Sequence, residues 1–170
     1  ATLRRQRQMC IRDSILPGSA NLIGGRGVTV KNLQRNTINS MKFPDAPHSL
    51  KMACGENPKR VYGNRGQAPS TRMGNAAGYR KSWIQAEGYL RRLNEYEEKS
   101  DEAKELEYAP TRDLEMETLA GVLKGEILVH NHCYRADEMA TMIDIAKEFN
   151  YKITAFHHCL LYTSDAADEE

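Results

Sequence analysis

The sequence predicts an α/β fold in which parallel strands are connected by helices. Three short apolar runs, residues 50–54, 127–129 and 152–156, are typical of buried strands. The segments between them carry hydrophobic residues three or four positions apart, which is the spacing of amphipathic helices. The resulting order of strand, two helices, strand, helix and strand favours a small doubly wound domain or part of a larger barrel. The sequence stops close after a predicted strand, which favours part of a barrel.

The two ends of the chain are predicted not to be natural protein sequence. Residues 4–13 and 159–168 can be encoded by DNA strings that are reverse complements of each other, apart from a small frame offset. Both strings also resemble the transposase adapter used to prepare sequencing libraries. We therefore expect residues 1–14 and 159–170 to be adapter-derived and residues 15–158 to be a fragment of a natural protein. The ends are excluded from the fold prediction.

Composition restricts the classes of partner. Removing the ends takes away four Arg and five acidic residues, which leaves 20 basic and 18 acidic residues and a net charge near +2. This balance argues against nucleic acid as a partner. No apolar run is long enough to span a membrane. Cys54 and Cys133 are the two cysteines outside the predicted ends, so we expect no disulfide framework and a reducing, by default cytoplasmic, compartment. A signal peptide on a missing N-terminus stays an open alternative.

The first half of the fragment combines short strands with one long helix. Strands are predicted at residues 28–31 and 50–54, and a long amphipathic helix begins at Thr71. Residues 37–47 and 63–70 are predicted to be irregular because proline and glycine interrupt them.

The second half continues the alternation of helices and strands. A helix at residues 113–124, capped by Thr111, precedes the strand at 127–129. An amphipathic helix over residues 136–149 then leads to the strand at 152–156.

Histidines follow the last two predicted strands. His130 and His132 follow the first of these strands, and His157 and His158 follow the second. Because adjacent parallel strands end at the same edge of a sheet, we expect these imidazoles to lie a few ångströms apart. Imidazole is a common zinc ligand, and a metal there would lower the pKa of a bound water. Strand-end histidines that bond to the backbone are the alternative, but four imidazoles favour a metal or catalytic site.

Lys51 is an unusual residue in an apolar strand. Burying its ammonium group is costly unless the group is paired or chemically used. The alternative is a lysine that extends from the strand edge to solvent, and the residues alone favour that alternative.

Several motifs resemble one protein family. They are His130-Asn-His132 with Arg135-Ala-Asp-Glu138, Phe156-His-His158, and residues 55–63 with 70–74. Together they resemble the imidazolonepropionase-like branch of the amidohydrolase superfamily, and the resemblance covers essentially all of residues 15–158. It implies a metal-dependent (β/α)8 TIM-type barrel that hydrolyses C–N bonds in cyclic amides or dipeptide-like substrates. The fragment would contain about strands four to six with their helices.

The resemblance also implies roles for individual residues. His130 and His158 match metal ligands on the fifth and sixth barrel strands, and Lys51 matches a carboxylated, metal-bridging lysine on the fourth strand. These three residues would carry catalysis with one or two divalent ions, most simply zinc. The positions matched to substrate contacts or to support of the ligands are His132, Arg135, Asn57 and Arg72, whereas His157 is assigned to packing.

The resemblance leaves part of the site and the substrate open. A first-strand His-x-His and an eighth-strand aspartate would lie outside the fragment, and Cys133-Tyr134 lengthens the usual motif, so the substrate class stays open. The expected partner is a small-molecule substrate, with no nucleic acid and no membrane, and the full-length protein could form a homo-oligomer. The alternative is a non-catalytic barrel relative that binds a ligand or partner. We expect the 170-residue chain itself to be poorly folded and inactive, because part of a barrel leaves open sheet edges.

Overall fold

The structure, a computed structural model, describes residues 12–158. Residues 1–11 and 159–170 lie outside the described part, and with them most of the two ends predicted to be adapter-derived. Residues 12–14, which were assigned to the first of these ends, belong to the first strand. The adapter origin stays a prediction.

A mixed five-stranded sheet forms the centre of the fold. Its strands are β1 (Arg12–Ile15), β2 (Ile23–Lys31), β3 (Ser49–Ala53), β4 (Leu128–His132) and β5 (Ile153–His157). They lie side by side in chain order. The pairs β3–β4 and β4–β5 are parallel, as predicted. The sheet curls into a half-barrel, which is consistent with part of a barrel.

The first two strands, which the predicted parallel order did not include, pair antiparallel. Strand β2 runs antiparallel to both β1 and β3. The link from β1 to β2 spans only residues 16–22, which is too short for the crossover that parallel neighbours require. Strand β2 also begins earlier than predicted, at Ile23, and this additional part contains Gly24, Gly25 and Gly27. Glycine is typical of loops, so its local preference concealed this part of the strand.

Helices cover one face of the sheet. Those of residues 12–158 are α1 (Ile38–Met41), α2 (Glu56–Gly63), α3 (Arg72–Glu97), α4 (Asp101–Glu105), α5 (Leu114–Leu123) and α6 (Ala136–Glu148). The segment from β3 to β4 contains α2 to α5, and α6 connects β4 to β5. In the described part of the chain, no helix is long and apolar enough to cross a bilayer.

Two helix starts differ from the sequence prediction. The sequence does not predict α2, because Pro58 resembles a helix breaker. Pro58 is the third residue of α2, within the first turn, where its missing N–H would have no acceptor inside the helix. Helix α5 is capped by Asp113 and not by Thr111: the Asp113 carboxylate accepts hydrogen bonds from the backbone N–H of Glu115 and Met116.

The hydrophobic core lies between the sheet and the helices. Leu50, Met52 and Val129 are fully buried, and they alternate along β3 and β4 with Lys51 and His130. The largest fully buried side chains that the helices add are Tyr79, Trp83, Leu119, Met142 and Ile145. Because successive side chains of a strand point to opposite faces, Lys51 and His130 face away from this core.

The two cysteines of the fragment are joined. Cys54 and Cys133 directly follow β3 and β4, their Cα atoms are 5.3 Å apart, and a disulfide connects them. The expectation of unpaired cysteines is therefore wrong. A count of two cysteines cannot show that parallel pairing places them in adjacent positions, within disulfide distance. The argument from cysteine usage to a reducing compartment loses its basis.

Candidate functional site

The parallel strands bring the predicted site residues to one edge of the sheet. Lys51 of β3 is the direct partner of His130 in β4, and Ala53 is the partner of His132. On the other side of β4, His132 pairs with His157 of β5. His130 and His132 are two residues apart and therefore face the same side of the strand. The edge thus carries Lys51 and three imidazoles within three adjacent strands.

His157 contacts His130 directly. Nδ1 of His130 lies 2.9 Å from Nε2 of His157, and the two rings are stacked with centroids 5.1 Å apart. The sequence analysis assigned His157 to packing and preferred His158. Alternation along β5 could have indicated the contact, because His157 shares a face with Ala155, the pairing partner of His130.

His158 lies beyond the end of β5 and is closer to His132. It is exposed, its φ is +61°, and its ring centroid is 5.0 Å from that of His132. The structure therefore groups His130 with His157 and His132 with His158, instead of pairing His130 with His158. The assignment of His130 and His158 as metal ligands stays a prediction.

Lys51 is buried beside this cluster. It is 6% exposed, and within residues 12–158 it makes no hydrogen bond or ion pair. Burial lowers the pKa of its ammonium group, because the charged form loses hydration. The expectation from the residues alone, a lysine that extends to solvent, is therefore wrong. A buried amine with a lowered pKa is more nucleophilic than an exposed lysine, since more of it is unprotonated at neutral pH.

The imidazoles are kept neutral. Burial is the main cause that lowers the pKa of His132, to about 4, and electrostatic interaction with His158 and Lys51 lowers it further. Burial also lowers the pKa of His130 and of His157, again assisted by Lys51. A neutral imidazole has one nitrogen lone pair free to accept a proton or bind a metal. At neutral pH the cluster is therefore a set of uncharged Lewis bases.

Asn57 and Tyr134 enclose His132. Nδ2 of Asn57 lies 2.9 Å from Nε2 of His132, and the Tyr134 ring meets the imidazole edge-on with centroids 4.4 Å apart. His132 is 1% exposed, and its Nδ1 is buried with no hydrogen-bond partner in the part of the chain that the structure describes. Asn57 was predicted as a possible substrate contact, and the structure places it against His132.

The two arginines predicted to contact substrate are engaged in ion pairs. Arg135 binds Asp137 through two hydrogen bonds of 2.8 and 3.1 Å at the start of α6. Arg72 donates from Nε to Glu138 at 2.8 Å, and a second nitrogen lies 3.4 Å from Glu56. Arg72 therefore connects the first turns of α2, α3 and α6. Its observed contacts are structural.

We expect the Arg72→Ala substitution to destabilise the fold by about 1–2 kcal/mol, because the Glu138 carboxylate, 7% exposed, loses its charged partner. The value is below that of a fully buried pair because Arg72 is 44% exposed and partly screened by water. Urea unfolding at neutral pH measures it. Arg91→Ala in the same helix is the matched control: the Arg91–Glu95 pair is 3.8 Å long and largely exposed, so less than about 0.5 kcal/mol is expected. Equal losses for both variants would contradict the prediction.

The residues of the cluster fit part of a metal site. Within residues 12–158, no three His, Cys, Asp or Glu side chains are arranged so that they could hold a metal ion together. The donor chemistry nevertheless suits a divalent ion, since neutral imidazoles and an unpaired buried lysine share one face. Nδ1 of His132 is a buried polar atom with no hydrogen-bond partner in the described residues.

A curled α/β sheet with imidazoles and a lysine at the carboxyl ends of its parallel strands has the arrangement of a strand-end active site. No protein-family model matches the chain. Amidohydrolase tasK of Hapsidospora irregularis is 38% identical over 159 residues, which covers 85% of this chain and 16% of tasK. The crystal structure of an amidohydrolase from Thermotoga maritima MSB8 is similar with a TM-score of 0.78 and 36% identity, over 92% of this chain and 39% of that chain.

These similarities support an amidohydrolase-family relationship, and the names of both relatives suggest a hydrolase. The chain spans 16% and 39% of the lengths of these relatives. The activity of a whole protein therefore belongs with the proposals that follow.

Proposed function

We propose that the parent protein is a metal-dependent amidohydrolase of the imidazolonepropionase-like branch, and that this chain is about strands four to six of its (β/α)8 barrel. The observation that carries the proposal is the convergence of Lys51, His130, His132 and His157 on one face at the ends of three parallel strands. The substrate would be a small molecule with a C–N bond, such as a cyclic amide or a dipeptide-like compound. Nucleic acid and membrane are not proposed as partners.

Zinc is the proposed metal, as one or two ions, with His130, His158 and Lys51 among its ligands. Further ligands from other strands would complete the set, because the described residues form only part of one. When bound, the ion would lower the pKa of a water molecule and polarise the substrate carbonyl.

Lys51 has the properties that carboxylation requires. Its unprotonated amine adds to CO2, which forms an N–C bond and releases one proton, so that the neutral side chain becomes an anionic carbamate. The reaction needs the unprotonated amine, and burial lowers the pKa of Lys51 in that direction. The position of Lys51 next to His130 would place the carbamate among the imidazoles.

The remaining predicted residues would support substrate binding. His132 is neutral and held by Asn57, and Arg135 is 60% exposed and could exchange Asp137 for an anionic substrate group. A homo-oligomer of the full-length protein is a further part of the proposal.

The experiment is metal analysis and hydrolysis by the full-length parent protein. We expect bound zinc, turnover of at least one cyclic amide or N-acyl dipeptide, loss of turnover with a chelator, and recovery with zinc. His130→Ala should lower zinc affinity at least about tenfold, because loss of a supporting residue alone has such an effect. His48→Ala is the matched control, since His48 lies outside the cluster with its Nδ1 3.3 Å from the Gly27 carbonyl. A protein without bound zinc or turnover would refute the proposal.

The second candidate function is a non-catalytic barrel relative that binds a ligand or partner. It is favoured by the lack of a three-residue metal-binding group within residues 12–158. Stoichiometric zinc in the purified parent protein would exclude it, whereas a metal-free protein that still binds one of the cyclic amides would support it.

A further inference from the structure

Asn57 connects three segments around the candidate site. Its Nδ2 atom lies 2.9 Å from Nε2 of His132 and 2.9 Å from Oγ of Ser19. Ser19 belongs to the link between β1 and β2, Asn57 to the first turn of α2, and His132 to the end of β4. We propose that Asn57 is a positioning residue that fixes the orientation of the His132 ring, and not a substrate contact.

The surroundings of His132 leave Asn57 as its hydrogen-bonding neighbour. The imidazole is 1% exposed, Tyr134 covers its edge, and Nδ1 has no partner within residues 12–158. Rotation of the ring would break its one hydrogen bond in a buried environment, which is costly. Because the Asn57 amide donates to Nε2, the neutral ring carries its proton on Nδ1, which is left to donate a hydrogen bond to a ligand of the site.

Asn57 is itself held in place. Helix α2 begins at Glu56, whose carboxylate lies 3.1 Å from Lys59 and 3.4 Å from Arg72. The Ser19 contact fixes the amide from the other side. The amide nitrogen can only donate, so this contact selects the neutral imidazole whose Nε2 accepts and whose Nδ1 carries the proton. A residue that orients a metal-binding or substrate-binding histidine needs such a fixed hydrogen-bonding group.

The experiment follows the His132 ring by 15N NMR of the histidine-labelled, metal-free, full-length parent protein. We expect one neutral tautomer in the wild type and averaged tautomers in Asn57→Ala. Asn57→Asp should again give a single tautomer, but with the proton on Nε2, because a carboxylate can only accept from the ring and from Ser19. Asn64→Ala, at an exposed position at the end of the same helix, is the matched control and should leave the His132 signals unchanged.

A zinc titration then measures how the position of His132 affects metal binding. This second part of the inference rests on the proposed function. Asn57→Ala should weaken zinc binding roughly ten- to hundredfold, and Asn57→Asp should restore most of it. If the wild type binds no zinc but Asn57→Ala still changes the His132 signals, the metal proposal fails and the positioning role stands. Unchanged His132 signals in Asn57→Ala overturn the positioning role. If that variant does not fold, Ser19→Ala must give a smaller change of the same kind, and no change overturns the inference.

Discussion

Replacing Gly55 by alanine is expected to lower the free energy of unfolding by about 4 kcal/mol. Gly55 has φ +70° and ψ −128°, a conformation that costs a residue with a Cβ atom about 1–3 kcal/mol. That Cβ would also clash with the carboxylate of Glu138. The buried carboxylate would have to move away from Arg72, which adds the cost of disrupting a largely buried ion pair. Urea unfolding followed by circular dichroism measures the loss.

Gly66→Ala separates backbone strain from the clash. Gly66 also has a positive φ, +67°, but an added Cβ would have no atom within 4 Å. We expect a loss of only about 1–2 kcal/mol there. In addition, Glu138→Ala should cost much less in the Gly55→Ala background than in the wild type, because the two changes share one contact. Strictly additive effects would show that the carboxylate is not the cause.

The sequence was sufficient to predict the strands and helices whose buried apolar residues recur at regular spacing. Strands β3, β4 and β5 and helices α3, α5 and α6 follow from hydrophobic spacing, and their parallel order follows from the helices between them. Strand β2 and helix α2 were concealed by Gly24, Gly25 and Pro58, whose local preferences oppose the structure that they adopt. Tertiary contacts decide such segments: β2 is fixed by pairing with β1 and β3 on both sides.

The candidate site was predictable in its location but not in its pairings. Histidines after two parallel strands must meet at one edge, which sequence order alone indicates. The contact of His157 with His130 depends on the register between β4 and β5, which shifts at Val129. The ion pair of Arg72 with Glu138 joins residues 66 positions apart, and no local pattern predicts it. The disulfide between Cys54 and Cys133 depends on register in the same way.

Acidification should destabilise the metal-free chain through His132. The pKa of His132 is about 4 in the folded chain, compared with an ordinary value of 6.5, mainly because the ring is buried. Between these values the unfolded chain takes up a proton that the folded chain does not. The stability is therefore fully present above pH 6.5 and is lost as the pH falls towards 4. The loss from this residue should be about 3 kcal/mol at most.

Urea unfolding at several pH values between 7 and 4 tests this prediction, with His132→Asn as the comparison. The variant removes the titrating ring, so its stability should fall less steeply across the same interval, while carboxylates elsewhere affect both proteins equally. His130 and His157, whose pKa values are also lowered by burial, should leave the variant with a residual slope of the same sign. The Hε1 resonance of His132 should not titrate until the pH approaches 4. A midpoint near 6.5, or identical slopes for both proteins, would show that the ring is hydrated and would contradict the prediction.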